Sequence, residues 1–246
     1  VSIVEYDAFS ISLGMHYHDN AHISFILSGT DKEKRNGISY YRNVGDLFFY
    51  QQGQIHGTLS QTGITKNLVI ELTQSFENDY KRDFTKLDFN DRKNSLFKLK
   101  LIKLFGEIMY NDNLLPLTIE TLVSELSSID NYRADNRLPQ WHKTVREIVN
   151  DKWNHSISLT ELSQAVKIHP VTISKYFNVY NNCTLTNYIK GIRVARSFTL
   201  LQHTNLSLTE IAFECGFSDQ SHFIRVFKAI TGYSPNKIRK ACNGRS

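Results

Sequence analysis

The chain has no run approaching the ~20 consecutive apolar residues a helix needs to span a bilayer, which argues against a membrane-spanning helix within these residues. It has only three cysteines, Cys183, Cys215 and Cys242, and no CxxC spacing. An odd, sparse set does not make a disulfide framework and suits a reducing cytoplasm, the expected location. No secretory signal is visible at the start, which opens at Val1. No Walker loop, dinucleotide fingerprint or Ser-His-Asp arrangement is evident, so nothing points to those enzyme classes. What is present is 246 residues, 41% hydrophobic and 12% aromatic, enough to build real cores in one large or two medium domains. The net charge of +5 hides an asymmetry: residues 1–135 hold 14 Lys/Arg against 18 Asp/Glu, and residues 136–246 hold 15 against 6, or −4 and +9. A basic half is the footprint of a polyanionic partner, although membrane surfaces also attract cations.

The first 75 residues read as β-structure. Short apolar runs at 23–27, 47–50 and 68–72 are separated by turn signals at Ser28-Gly29-Thr30, Asn36-Gly37, Asn43 to Asp46 and Thr62-Gly63. Closely spaced short strands predict a sandwich or barrel. The period then changes: residues 92–110 and 117–129 are apolar at helical spacing, with Leu96, Leu99, Ile102, Phe105 and Ile108 or Met109 on one side. Residues 130–139 read as a linker, and beyond Trp141 the chain reads helical almost to its end.

The second half contains a repeat. Ser158-Leu-Thr-Glu-Leu162 matches Ser207-Leu-Thr-Glu-Ile211 at an offset of 49, while Phe177 matches Phe227 and Asn182 matches Gly232 at an offset of 50. One residue is therefore inserted between the two helices of the second copy. Each copy opens with a capping box, Ser158 with Glu161 and Ser207 with Glu210. Each then runs helix, short break and helix, the grammar of a helix-turn-helix unit. Gly216 can take the left-handed step that ends a helix, and Pro170 sits where a first helical turn accepts proline. Ile173, Tyr176 and Phe177 are expected to face inward in the first copy, as are Phe223, Val226 and Phe227 in the second. That leaves Val171, Thr172, Ser174, Lys175 and Asn178 exposed on one helix, and Gln220, Ser221, His222, Ile224, Arg225 and Lys228 on the other. Most of these side chains hydrogen-bond base edges and phosphates, and Val171 or Ile224 could pack on a thymine methyl. A polar helix face can also be merely solvated; two matched faces on a +9 half favour DNA. A helix near 185–203, ~27 Å long at ~1.5 Å per residue, joins the units. It could set two recognition helices in successive major-groove segments ~34 Å apart. Arg193 is expected to pair internally with Glu161 or Glu210, rather than join Lys190 and Arg196 on phosphates.

Over residues 142–240 the chain resembles the AraC/XylS family of bacterial transcription regulators. The stretch from Ile211 through Gly216, Phe217 and Ser218 to Lys228, followed by Thr231-Gly-Tyr-Ser-Pro235, is similar to that family's signature nearly throughout. Asn182 stands where the family usually has glycine, and Ser163 and Ser197 where it usually has alanine. The resemblance implies that Val171, Ser174 and Lys175 face bases in one groove and Gln220, Ser221, His222 and Arg225 in the next. The N-terminal segment resembles the cupin motifs: His16-x-His18, His22 and Gly29, then Gly45-Asp46, Gly53 and His56. It departs at His22, where cupins commonly have Glu, at Gln51 for proline and at Ser60 for asparagine. Strand alternation puts His16 and His18 on one face. The four histidines could bind an effector or satisfy one another in a metal-free pocket, since regulators resembling this one commonly keep such histidines without a metal, or they could ligate a transition metal. No carboxylate joins the set, which argues against an iron oxygenase.

The resulting expectation is an α+β multidomain protein. A cupin-like β-barrel sensor spans residues 1–75, a helical dimerisation segment 76–135, a linker 136–144 and an all-α, double helix-turn-helix DNA-binding domain 145–246. The implied function is an effector-responsive activator that binds double-stranded DNA as a homodimer and contacts RNA polymerase. The alternatives are a cupin-type metalloenzyme or metal sensor fused to a DNA-binding domain, and a ligand-independent regulator whose β-domain only dimerises.

Overall fold

The computed structural model describes residues 1–6, 14–73, 75, 95–110, 115–117, 119–121 and 138–243. Five strands come first: β1 (Ser2–Tyr6), β2 (Ala21–Arg35), β3 (Ile38–Arg42), β4 (Leu47–Tyr50) and β5 (His56–Leu72). They form one antiparallel sheet ordered β1-β5-β2-β3, with β4 also paired to β2. Asn36-Gly37 makes the β2–β3 turn, with φ of 49° and 82°, the two successive positive values that a two-residue hairpin favours. The turn at 43–46 is closed by the Asp46 amide on the Asn43 carbonyl (2.9 Å) and the Asn43 amide on the Asp46 carboxylate (2.8 Å).

Two expected turns are not turns. Gly29 (φ 77°) lies inside β2, Gly63 (φ 70°) lies inside β5, and the register slips between Ile26 and Thr30. A Cβ on Gly29 would sit 2.6 Å from the Ile64 carbonyl oxygen. A glycine with positive φ serves a bulge as well as a turn. The expected series of short strands therefore includes two long ones, bent where Thr30 faces Thr62. The expected barrel is, among the described residues, a five-stranded sheet.

Alternation divides that sheet. Phe25 and Ile23 pair with Leu68 and Ile70 on a face packed against helices, while His22 pairs with Glu71 and Ser24 with Val69 on the opposite face. The helices are α1 (Ser95–Tyr110), α2 (Gln140–Asp151), α3 (Leu159–Val166), α4 (Pro170–Asn181), α5 (Leu185–His203), α6 (Leu208–Glu214), α7 (Gln220–Thr231) and α8 (Pro235–Asn243). Helix α2 starts inside the expected linker and buries His142, Val145 and Val149. The expected second helix, 117–129, falls mostly outside the described residues.

Helix α1 differs from expectation in its use. Phe97, Leu99, Leu101, Ile102, Leu104 and Phe105 are all buried, and every described side chain from 96 to 108 is at least half-buried. At Gly191 of α5 a Cβ would lie 2.9 Å from Leu96, and at Gly106 it would fall on the Tyr233 ring. Tyr110 stacks on Tyr233 at 5.1 Å. The apolar stripe placed in the dimerisation segment is thus covered within this chain, because α1 is apolar on more than one side and sits inside the core.

Candidate nucleic-acid interface and histidine cluster

Both capping boxes form. The Glu161 amide donates to Ser158 Oγ (3.1 Å) and the Ser158 amide to the Glu161 carboxylate (2.7 Å); Glu210 and Ser207 repeat this at 3.2 and 2.7 Å. These donors hold both carboxyls below the usual range. The break after each first helix passes through a left-handed residue, Lys167 (φ 56°) and Gly216 (φ 73°). The second helices are then capped by His169, whose Nδ1 accepts from the Val171 amide, and by Asp219, whose carboxylate accepts from the His222 amide. Lys167 and Gly216 are offset by 49 and the two caps by 50, so the inserted residue lies inside the turn.

Ile173 and Phe177 of α4 are buried, as are Phe223, Val226 and Phe227 of α7. Tyr176, expected inside, is 40% exposed, and Ile224, expected outside, is half-buried against the core. Both lie at the edge of an apolar stripe, where the helical period alone does not settle the side. Val171, Ser174, Lys175 and Asn178 are exposed and Thr172 is half-buried; Gln220, Ser221, Arg225 and Lys228 are exposed. Two residues of α7 have local partners. Gln220 Oε1 accepts from Thr209 of α6 (2.7 Å), and His222, half-buried, bonds Ser218 (3.1 Å) with its ring edge on Phe217. Thr209 was not a sequence candidate; its signal is the reach from one helix of the unit to the next.

Helix α5 spans 185–203 as expected. Arg193 turns inward, but onto carbonyls: those of Trp153 (2.9 Å), His155 (2.9 Å) and Gly216 (2.5 Å). Glu161 and Glu210 are engaged by their own caps, so the expected ion pairs are replaced. Arg193 bolts the loop after α2 to the turn of the second unit. There a Cβ on Gly216 would collide with the Asn154 carbonyl.

The four histidines also converge. His16 and His56 exchange backbone hydrogen bonds at 2.9 Å each way, and their rings lie 4.5 Å apart. His18 is 4.4 Å from His22, whose ring stacks on Tyr50 at 4.5 Å. Nδ1 of His16 and of His56 each meets a backbone carbonyl, Gly14 and Gln54, at 2.9 Å. A carbonyl only accepts, so each Nδ1 carries the proton and leaves a lone pair on Nε2. Burial, reinforced by the neighbouring imidazoles, pushes His22 down to about 3; burial likewise brings His56 to about 4 and lowers His18. Below the rings Tyr50 donates to Glu33 (2.8 Å), and Arg42 holds Asp31 (2.5 Å) and Glu33 (2.8 Å). The pocket these residues line is about 90 Å³ and also takes in Glu71. Glu71 was missed in the apolar 68–72 run. Its signal is the cross-strand position opposite His22.

Residues 162–241 match a family model described as a helix-turn-helix domain. A 96-residue stretch is 31% identical to the Msm operon regulatory protein of Streptococcus mutans, covering 39% of this chain and 34% of that one. A 92-residue stretch is 28% identical to the HTH-type transcriptional activator RhaS of Escherichia fergusonii, covering 37% and 33%. The C-terminal domain of AraT, a response regulator from Geobacillus stearothermophilus, aligns at 25% identity and a TM-score of 0.40, covering 42% of this chain and 87% of that one. The chain thus spans about a third of the length of these two curated relatives. Residues 162–241 are a helix-turn-helix domain. Within that domain the departures from the residues usual in the AraC/XylS family it resembles are accommodated. Asn182 takes the left-handed step after α4 (φ 51°), which Asn tolerates. Ser197 is fully buried but donates to the Val194 carbonyl at 2.8 Å, so its hydroxyl is satisfied.

Proposed function

We propose that the chain is a sequence-specific DNA-binding transcription regulator that reads two adjacent major-groove segments with α4 and α7. The observation that carries this reading is the duplicated, capped helix-turn-helix with two exposed polar second helices, set on a +9 half and joined by one 19-residue helix. Val171, Thr172, Ser174, Lys175 and Asn178 face one segment. Ser221, Arg225, Lys228 and the amide nitrogen of Gln220 face the next, and His222 positions the start of α7 rather than reading a base. The sheet with its histidine cluster is the ligand-responsive part, and the regulator acts in the cytoplasm as a homodimer through surfaces other than α1. The relatives' names, a regulatory protein and an activator, support regulation over catalysis and favour activation through RNA polymerase.

Selection from random duplexes followed by footprinting tests the reading. The expected result is an enriched sequence with two protected segments about one helical turn, ~34 Å, apart, and affinity that falls steeply with salt. Equal affinity for enriched and random DNA overturns it.

A further inference from the structure

We propose that the cavity between the helix-facing side of the sheet and the ends of α5 and α8 binds a small zwitterion, a free amino acid or short peptide, as the effector. The proposal rests on the regulator reading above, and it places the ligand on the side of the sheet away from the histidines.

The cavity is about 420 Å³, inside the ~300–1,000 Å³ of small-molecule sites, which favour domain interfaces. Its walls come from two parts of the chain. The strands supply Glu5, Ser28 and Lys66, and the helical side supplies Gln202, Asn205 and Asn243. Lys66 shares a side of β5 with Leu68 and Ile70, which pack on the helices. The helical wall is tied together, because Arg239 of α8 donates to the carbonyls of Leu201 (3.0 Å) and Leu206 (2.9 Å) around the end of α5.

Each wall carries a donor beside an acceptor. On the sheet, Lys66 and Glu5 are direct cross-strand partners whose charged groups meet at 2.7 Å. The Lys66 side chain is 7% exposed and that of Glu5 56%, so the cation is set inside and the anion at the rim. The ammonium carries three donors, and the Glu5 contact leaves others for a second anion. On the helical wall, Oε1 and Nε2 of Gln202 are both buried and have no protein partner among the described residues. Buried polar groups are nearly always paired, because leaving them unpaired costs their full desolvation. A ligand that offers a donor and an acceptor side by side satisfies both atoms.

The charges select the class. Among the described residues, Lys66 and Glu5 are the only charged side chains of the lining, and they cancel. The Cys242 thiol, pushed up by burial, stays neutral. A net anion meets Glu5 and a net cation meets Lys66. A zwitterion suits both: its carboxylate takes the spare Lys66 donors and its ammonium donates to Glu5, in charge-assisted hydrogen bonds. A carboxamide or peptide group of the same molecule then exchanges N–H and C=O with the Gln202 amide. A hydrocarbon chain finds little to contact, since Ile64 is the one large apolar side chain of the lining.

The test is calorimetric titration of the full, untagged chain with L-glutamine and with glycyl-L-glutamine. Succinate and myo-inositol serve as an anion and a neutral polyol of similar size. One zwitterion per chain is expected, with affinity reduced about tenfold or more in Glu5→Gln and in Gln202→Leu. Gln202→Leu removes the unpaired amide and keeps the bulk, so its melting temperature should hold or rise while binding is lost, which a purely structural role would not produce. Glu5→Gln changes an exposed side chain and provides the second variant should the first misfold. Saturating L-glutamine should shift affinity in DNA retardation by about threefold or more. Binding of neither zwitterion, binding of succinate or myo-inositol in their place, or equal binding in all folded variants overturns the proposal. So does loss of binding in His56→Gln with Gln202→Leu unaffected, or a bound zwitterion that leaves a measurable DNA affinity unchanged. Sequence-selective DNA retardation without zwitterion binding removes the effector site and leaves the regulator reading intact. Binding that is lost in Gln202→Leu, with no DNA retardation at all, removes the regulator reading and leaves the site.

Discussion

The two helix-turn-helix units share their caps, their left-handed turns and the burial of their second helices, yet they belong to different bodies. Leu162, Ile173 and Phe177 of the first unit pack with Val145 and Val149 of α2 and with Leu185, Tyr188 and Ile192 from the first half of α5. Ile211, Phe223 and Phe227 of the second unit pack in one continuous core with Phe198 and Leu201 from the other half of α5, with α1, and with Phe25, Leu68 and Ile70 of the sheet. Helix α5 is therefore shared between a smaller core, which Leu96 of α1 also touches, and a large body that includes the sheet.

The largest test of this division uses the two cores. Phe177→Ala and Phe198→Ala should each destabilise by ~3–5 kcal/mol. Hydrogen exchange should show protection lost around α2–α4 alone for Phe177→Ala, and in both the sheet and the second unit for Phe198→Ala. Loss of sheet protection in Phe177→Ala would dissolve the distinction. The turns give the next contrast. Gly216→Ala combines a left-handed Cβ with the Asn154 carbonyl and should destabilise by about 3 kcal/mol. Lys167→Gly, at the equivalent and exposed step, should be neutral or stabilise by up to ~1 kcal/mol; urea denaturation reads both.

On DNA, Arg225→Ala should weaken specific binding by ~1–3 kcal/mol and relax one base position. Lys228→Ala should weaken specific and random binding alike and reduce the salt slope by ~1. If Arg225→Ala behaves like Lys228→Ala, the base-reading role passes to the first unit. Acid separates the bodies more gently. His22 and His56 are held at about 3 and about 4, below the 6.5 of a free imidazole, so the unfolded chain takes up protons first. Their contribution is complete above pH 6.5 and is lost as pH falls towards 4. Glu33, raised by burial, opposes this, so the measurement is the difference in melting temperature between the parent and His56→Gln across that range. The parent should lose more than the variant, and the loss should fall on the sheet body rather than the first unit. The smallest expected effect is equality: Ser158→Ala and Ser207→Ala should each remove about 1 kcal/mol, since each removes one N-cap hydrogen bond.

Much of the C-terminal half was legible. Caps, breaks and helix spans follow from interactions three or four residues apart, which is why both boxes, the inserted turn residue and the 185–203 helix are found as read. Edge residues such as Tyr176 and Ile224 were not, because their side depends on what packs against the helix. In the N-terminal half the hairpin at Asn36-Gly37 was readable. Gly29 and Gly63 were misread, since the same backbone geometry serves a turn or a bulge and only the partner strand distinguishes them. The histidine set was visible as a pattern, but Glu71, Tyr50 and the size of the pocket depended on cross-strand pairing.

By itself, then, the sequence determined the repeated helical grammar, the charge asymmetry and most of the exposed polar positions of the two second helices, because these rest on short-range periodicity and composition. Only the tertiary structure decided that α1 is an internal helix, that two long strands carry the sheet, and that the second unit packs in one core with the sheet while the first is built on a smaller one. Those outcomes rest on contacts between residues far apart in the chain. Phe25 meets Phe198, and the Val44 amide reaches His203 at 3.2 Å. Which distant surfaces meet is decided by the burial of the whole core, not by any local pattern.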